Sequence, residues 1–183
     1  GAMGDEGAIV TNSDELFRTL RSLRQYGWDR HRMSQRSGQN SRMDTLQAAI
    51  LSMQLAGFEE RFERRQLIAQ RYRDALSHQP QIEAPGIMPG IRHGYHQFVV
   101  QCENRDALAS ALEAGGVESG RHYACPMHAH PAYGGLRRAE SLAEVEKLYD
   151  RMLSIPIYPE LGDEEVDVIC HILTTWRGEG EGR

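Results

Sequence analysis

Asn40 and Arg42 stand two residues apart in the stretch Gly38-Gln39-Asn40-Ser41-Arg42-Met43-Asp44-Thr45-Leu46-Gln47, where a polar loop runs straight into an amphipathic segment. An amide offers neutral N–H donors and a guanidinium offers a planar cationic fork. Both suit a phosphate, and a stiff helix behind them would hold them in place. On composition alone a solvated loop ahead of a helix is the stronger reading, with Arg42 free to pair with Asp44. A second group is His122-Tyr123-Ala124-Cys125-Pro126-Met127-His128. His122 and Tyr123 supply a titratable ring and a phenol fit for a sugar hydroxyl or a phosphate. Packing and capping are the competing roles, and they are the better reading for His128. The chain has one lysine, Lys147, flanked by Val145, Leu148 and Tyr149. No glycine-rich or strand-end context surrounds it, so it reads as a surface lysine. The histidine clusters His93-x-x-His96 and His128-x-His130, the latter near Cys125, do not match a closed structural zinc pattern, and no metal site is expected.

The elements that must carry these residues follow from periodicity. Ala8-Ile9-Val10 has the composition of a short buried strand. Asn12 with Glu15 resembles a capping box, and Leu16, Leu20 and Leu23 fall at helical spacing up to Tyr26, where Gly27 ends the helix. Arg18, Arg21 and Arg24 share one face of that helix and read as a solvated surface. Residues 28–42 are polar and loop-like. Leu46, Ile50, Met53, Phe58, Phe62, Tyr72 and Leu76 predict one long helix from Met43 to about Ser77, with a bend near Gly57. Residues 79–94 hold three prolines and three glycines and read as a linker. Beyond it the pattern predicts a strand over 95–101, a helix from Asn104 to Ala114 closed by Gly115-Gly116, and a strand over 117–123. Helices follow over 141–153 and 163–176, ahead of a disordered tail from Gly178. The order after the linker suits a small α+β domain.

Composition narrows the classes. A chain of 183 residues with 40% hydrophobic and 26% charged content is ordinary for a globular protein. A formal net charge of −5 argues against generic nucleic-acid binding. No apolar run is long enough to span a bilayer, so no membrane is expected. Cys102, Cys125 and Cys170 are odd in number and widely spaced, which points to a reducing, cytoplasmic setting.

Six segments, in order, resemble the sugar aminotransferases of the DegT/DnrJ/StrS type, which use pyridoxal 5'-phosphate (PLP). Gly4-Asp5-Glu6-Gly7-Ala8 is similar to the family's Gly-Asp-Gly-Gly-Ala strand, with Glu6 in place of a glycine. Tyr26-Gly27-Trp28 resembles the segment found in members acting on 3-keto deoxyhexoses. The block from Asn40 to Leu51 is the third. His122 to His128 resembles the family's His-Tyr-Pro-x-Pro-x-His, with Ala124 in place of proline. Pro131-Ala132-Tyr133 and Ser154-Ile155-Pro156-Ile157-Tyr158-Pro159 complete the match.

The resemblance implies an α/β fold, the C-terminal part of a fold-type I, aspartate aminotransferase-like PLP-transferase. Residues 1–57 would end the large domain and carry a dimer-interface loop. Residues 58–78 would be the connecting helix, and residues 79–183 the small α+β domain. Asn40 would reach the cofactor phosphate of the other subunit of a homodimer. Arg42, His122, Tyr123 and His128 would lie on the substrate side. The reaction implied is amination of a keto-deoxyhexose nucleotide, dTDP-linked and at C3, with glutamate as donor. Transamination needs a Schiff-base lysine, which the resemblance places upstream of Gly1. This chain is therefore expected to be a fragment without that catalytic residue, inactive by itself. The alternative is a non-catalytic domain that binds a nucleotide sugar or a partner.

Overall fold

The computed structural model describes residues 3–4, 7–135 and 141–178. It divides into two compact units, Gly1–Glu59 and Glu60–Arg183. Asp5 and Glu6, which carry part of the first motif, and the tail beyond Gly178 lie outside the described residues.

The first unit holds helices α1 (Asp14–Leu23) and α2 (Thr45–Ala56) and the long loop between them. Helix α1 is capped by Ser13, not Asn12: the Ser13 hydroxyl accepts from the Leu16 N–H at 3.2 Å. It also ends three residues before Tyr26, because Gly27 at φ 74 turns the chain and returns its N–H to the Ser22 carbonyl at 2.9 Å. The strand expected at Ala8-Ile9-Val10 is not formed, and Ile9 and Val10 are 72% and 93% exposed. A strand satisfies its backbone only against a neighbour, and none of the described residues pairs with this segment. Neither α1 nor α2 contains a buried residue.

Helix α3 (Phe58–Leu76) begins immediately after Gly57, so the single long helix expected from Met43 is two helices broken at that glycine. The core begins within α3, where Ile68, Ala69, Tyr72 and Leu76 line one buried face. The segment read as a linker contains a short edge strand, β1 (Ile82–Glu83). It pairs antiparallel with β2 (Phe98–Cys102), which begins three residues later than the expected strand. Phe98, Val100 and Cys102 alternate inward along β2 and complete the face begun by α3. Tyr72 meets Phe98 edge-on at 5.2 Å and donates its hydroxyl to the Pro156 carbonyl at 2.8 Å, so its phenol is buried with a partner.

Helix α4 (Arg105–Ala114) follows, packing Leu108 and Leu112 into the same core. The expected helix over 141–153 is shorter: α5 (Ala143–Arg151) gives way at once to strand β3 (Met152–Ile155). β3 runs antiparallel to β2 and completes a sheet of order β1-β2-β3. Its Leu153 and Ile155 face the core, a period of two that overrides the preceding helical pattern. The strand expected over 117–123 reduces to one isolated bridge, Gly120 with Ser154. Helix α6 (Asp163–Thr175) buries Val166, Ile169 and Leu173. Arg64 and Arg71 of α3 both reach Asp163, at 2.9 and 3.0 Å, and tie the two helices together. The Arg64 hydrogen bond, ahead of its charge and that of Arg71, holds the Asp163 carboxyl below the usual range.

Candidate active-site segments

The loop after α1 is built to present Asn40 and Arg42. Asp29 organises its outer turn by accepting from the N–H of His31 at 2.8 Å, the N–H of Met33 at 3.0 Å and the Gln35 amide at 2.9 Å. These donors, the Met33 N–H foremost, lower the Asp29 pKa. The loop then returns along the end of α1, where the Gln39 N–H donates to the Leu23 carbonyl at 2.9 Å and the Ser41 N–H to that of Arg24 at 3.0 Å. Gly38 makes this return possible: a Cβ there would stand 2.3 Å from the Gly27 nitrogen and 2.6 Å from the Leu23 oxygen. Asn40 bridges Gln25 across this pair of segments.

At the end of the return, the Arg42 Nε donates to the Asn40 Oδ1 at 2.8 Å. Arg42 thus pairs with Asn40 and not with Asp44. A guanidinium has only donors, so it selects the carbonyl side of the amide. The two amide N–H groups of Asn40 point away and take no hydrogen bond among the described residues. Two residues later the chain enters α2. The outcome is an exposed, oriented pair of neutral donors beside a cation, which is an anion-binding arrangement.

The second group lies in the second unit. Gly115-Gly116 ends α4, with Gly116 at φ 77. Residues beyond it run beside β3, where Gly120 and Ser154 exchange N–H to C=O bonds of 2.9 and 2.8 Å. That pairing places His122 next to a cleft of about 890 Å³, floored by Ser154 and Ile155 and walled by Tyr158, Val168 and Ile169. The His122 Nδ1 is 3.0 Å from the Ser154 Oγ. Tyr123 is 72% exposed and does not line the cleft. His128 is held on α5, its Nε2 2.9 Å from the Glu146 Oε1. So His122 alone of the three faces the cleft. Ser154 was not singled out by residue type; its only sequence signal is a hydroxyl inside an apolar strand.

Lys147 sits on α5 with its Nζ 2.7 Å from the Glu144 carboxylate, a 70% exposed side chain. Among the described residues no three His, Cys, Asp or Glu side chains are grouped to hold a metal ion, and no helix is long and apolar enough to cross a membrane.

The family model of the DegT/DnrJ/EryC1/StrS aminotransferases matches residues 2–174. The dTDP-3-amino-3,4,6-trideoxy-alpha-D-glucose transaminase of Streptomyces venezuelae is 40% identical over 177 residues, 96% of this chain and 47% of that protein. The UDP-2-acetamido-2-deoxy-3-oxo-D-glucuronate aminotransferase of Pseudomonas aeruginosa is 37% identical over 174 residues, 95% of this chain and 48% of that protein. The crystal structure of S. venezuelae DesV superposes with a TM-score of 0.85 at 34% identity, covering 94% of this chain and 47% of that one. The chain therefore spans about half the length of the relatives it matches. On the extent of the match and on the fold, this chain belongs to the DegT/DnrJ/EryC1/StrS aminotransferase family.

Proposed function

We propose that the full-length protein is a PLP-dependent aminotransferase that converts a dTDP-linked 3-keto-deoxyhexose to the 3-amino sugar, with glutamate as amino donor. The observation that carries this reading is the Arg42–Asn40 clamp at 2.8 Å, which leaves amide donors free for a phosphate. The likeness to a dTDP-3-amino sugar transaminase supports the choice of nucleotide and carbon. Bound PLP would supply an electron sink for the substrate carbanion and would carry the amino group from donor to keto carbon. The residues present fit the phosphate end of that group. They do not fit its aldehyde end, because Lys147 is exposed and paired with Glu144. The reading thus requires a lysine-bearing segment outside these 183 residues.

In a fold-type I arrangement Asn40 would hold the cofactor phosphate of a second subunit, and the working unit would be a homodimer with two composite sites. Arg42 orients Asn40 and adds positive charge for the substrate diphosphate. His122 offers its Nε2 to a sugar oxygen, and the exposed Tyr123 phenol offers a second contact. His128 holds the segment that follows them to α5 through Glu146.

The test is to incubate full-length protein with a dTDP-3-keto-6-deoxyhexose and glutamate and to follow 2-oxoglutarate and the amino sugar by mass spectrometry. Glutamate-dependent conversion is expected, with slower turnover of the UDP-linked analogue. The placement of Lys147 also favours a second reading, a binding module without chemistry. Full-length protein that binds sugar nucleotide tightly, holds no PLP and converts no keto sugar would establish that instead.

A further inference from the structure

We propose that Ser154 is a positioning residue for His122, and that the cleft they share receives the uncharged hexose part of the substrate and not its diphosphate. This rests on the substrate role given to His122 above. Ser154 is 7% exposed in a strand whose neighbours Leu153 and Ile155 are core residues. Both of its backbone hydrogen-bonding groups are taken by Gly120, so the position of its hydroxyl is fixed by the sheet. Its Oγ lies 3.0 Å from the His122 Nδ1. The ring rests over Gly120, where a Cβ would come within 3.2 Å of the His122 Cε1. An otherwise exposed ring is thereby held on two sides. With Nδ1 engaged, Nε2 is the nitrogen left without a partner among the described residues. Engaging one ring nitrogen also fixes the tautomer and so the role of the other.

The cleft itself selects the ligand part. Among the described residues no arginine or lysine lines it, while the acidic Glu118 and Glu165 do. A diphosphate entering there would meet these carboxylates, with no arginine or lysine among the described lining residues to offset its charge. A hexose carries carbonyl and hydroxyl oxygens for Nε2 and C–H faces for apolar walls such as Ile157, Leu161 and Val168.

The experiment uses full-length protein with Ser154→Ala, Ser154→Thr and His122→Gln, probed by dTDP-glucose and by dTDP, with the His122 tautomer read from ring ¹⁵N shifts. Ser154→Ala should redistribute the tautomer and weaken dTDP-glucose about fivefold, the scale of one neutral hydrogen bond. Affinity for dTDP should stay at the wild-type value, and Ser154→Thr should restore both readouts. Equal weakening of dTDP and dTDP-glucose by Ser154→Ala would overturn the assignment of the cleft. If His122→Gln weakens dTDP-glucose but Ser154→Ala changes neither tautomer nor affinity, the positioning role alone fails. If His122→Gln leaves dTDP-glucose unchanged, the substrate role of His122 fails with it.

Discussion

The orientation of the Asn40 amide is set by a neighbour. An amide by itself offers donors and an acceptor, and can turn either toward a ligand. The Arg42 Nε fixes the acceptor side at 2.8 Å and leaves only donors outward. In the full-length protein, Asn40→Ala should therefore loosen PLP by roughly 10- to 100-fold, since a hydrogen bond to a charged group contributes about 1.5–3 kcal/mol. Arg42→Met should loosen it less, because the amide remains but is free to turn. Equilibrium ultrafiltration of the cofactor measures both. Unchanged PLP retention in both variants would remove this pair from the cofactor site.

Elements place such residues only if the backbone allows close approach. The loop between α1 and α2 closes on itself through Gly38, whose missing Cβ makes room for the Gly27 nitrogen at 2.3 Å. Gly38→Ala should open that closure. In a Trp176→Phe background, Trp28 emission should shift toward that of exposed indole while the melting of the second unit stays unchanged. A wild-type spectrum would show that the loop tolerates the methyl. Between α3 and α6 the tie is ionic. Asp163 titrates below the usual carboxylate range because Arg64 and Arg71 favour its charged form. Its contribution to stability is complete above the ordinary value of about 4 and is lost as pH falls through the lowered one. The difference in urea midpoint between wild type and Asp163→Asn should stay level from pH 7 down to about pH 5 and shrink as the pH falls further toward 3. A difference independent of pH would show that charge at Asp163 plays no part.

At the scale of the molecule, burial is unevenly divided. Every residue of the hydrophobic core belongs to the second unit, from Ile68 to Trp176. In the first unit Leu16, Phe17, Leu46, Met53 and Leu55 are exposed, apolar faces of the sort a second chain or further domain covers. Hydrogen exchange on residues 1–183 should find slow amides in β2, β3, α4 and α6 and fast ones throughout α1 and α2. Protection extending evenly into the first unit would show that its helices are stable without such a cover.

Much of this was legible in the residues. Asn40 and Arg42 are candidates by type alone, with a solvated loop the stronger reading, and it is the family resemblance that turns the balance toward a phosphate contact. Helices α4 and α6 could be placed from Asn104, Gly115 and the acidic run at Asp163, because caps and periodicity are local properties. Other features had no local signal. Ala8-Ile9-Val10 has strand composition, yet a strand exists only where a neighbour takes its hydrogen bonds. Met152–Ile155 continues a helical pattern, and it is β2 that makes it a strand. The sequence likewise determined that His122 could bind a sugar oxygen, by its chemistry. Only the tertiary structure decided that it faces a cleft while Tyr123 does not, and that Ser154, 32 residues away, holds its ring. Side-chain chemistry travels with the residue, but its direction depends on backbone pairings between distant segments, which no stretch of sequence contains.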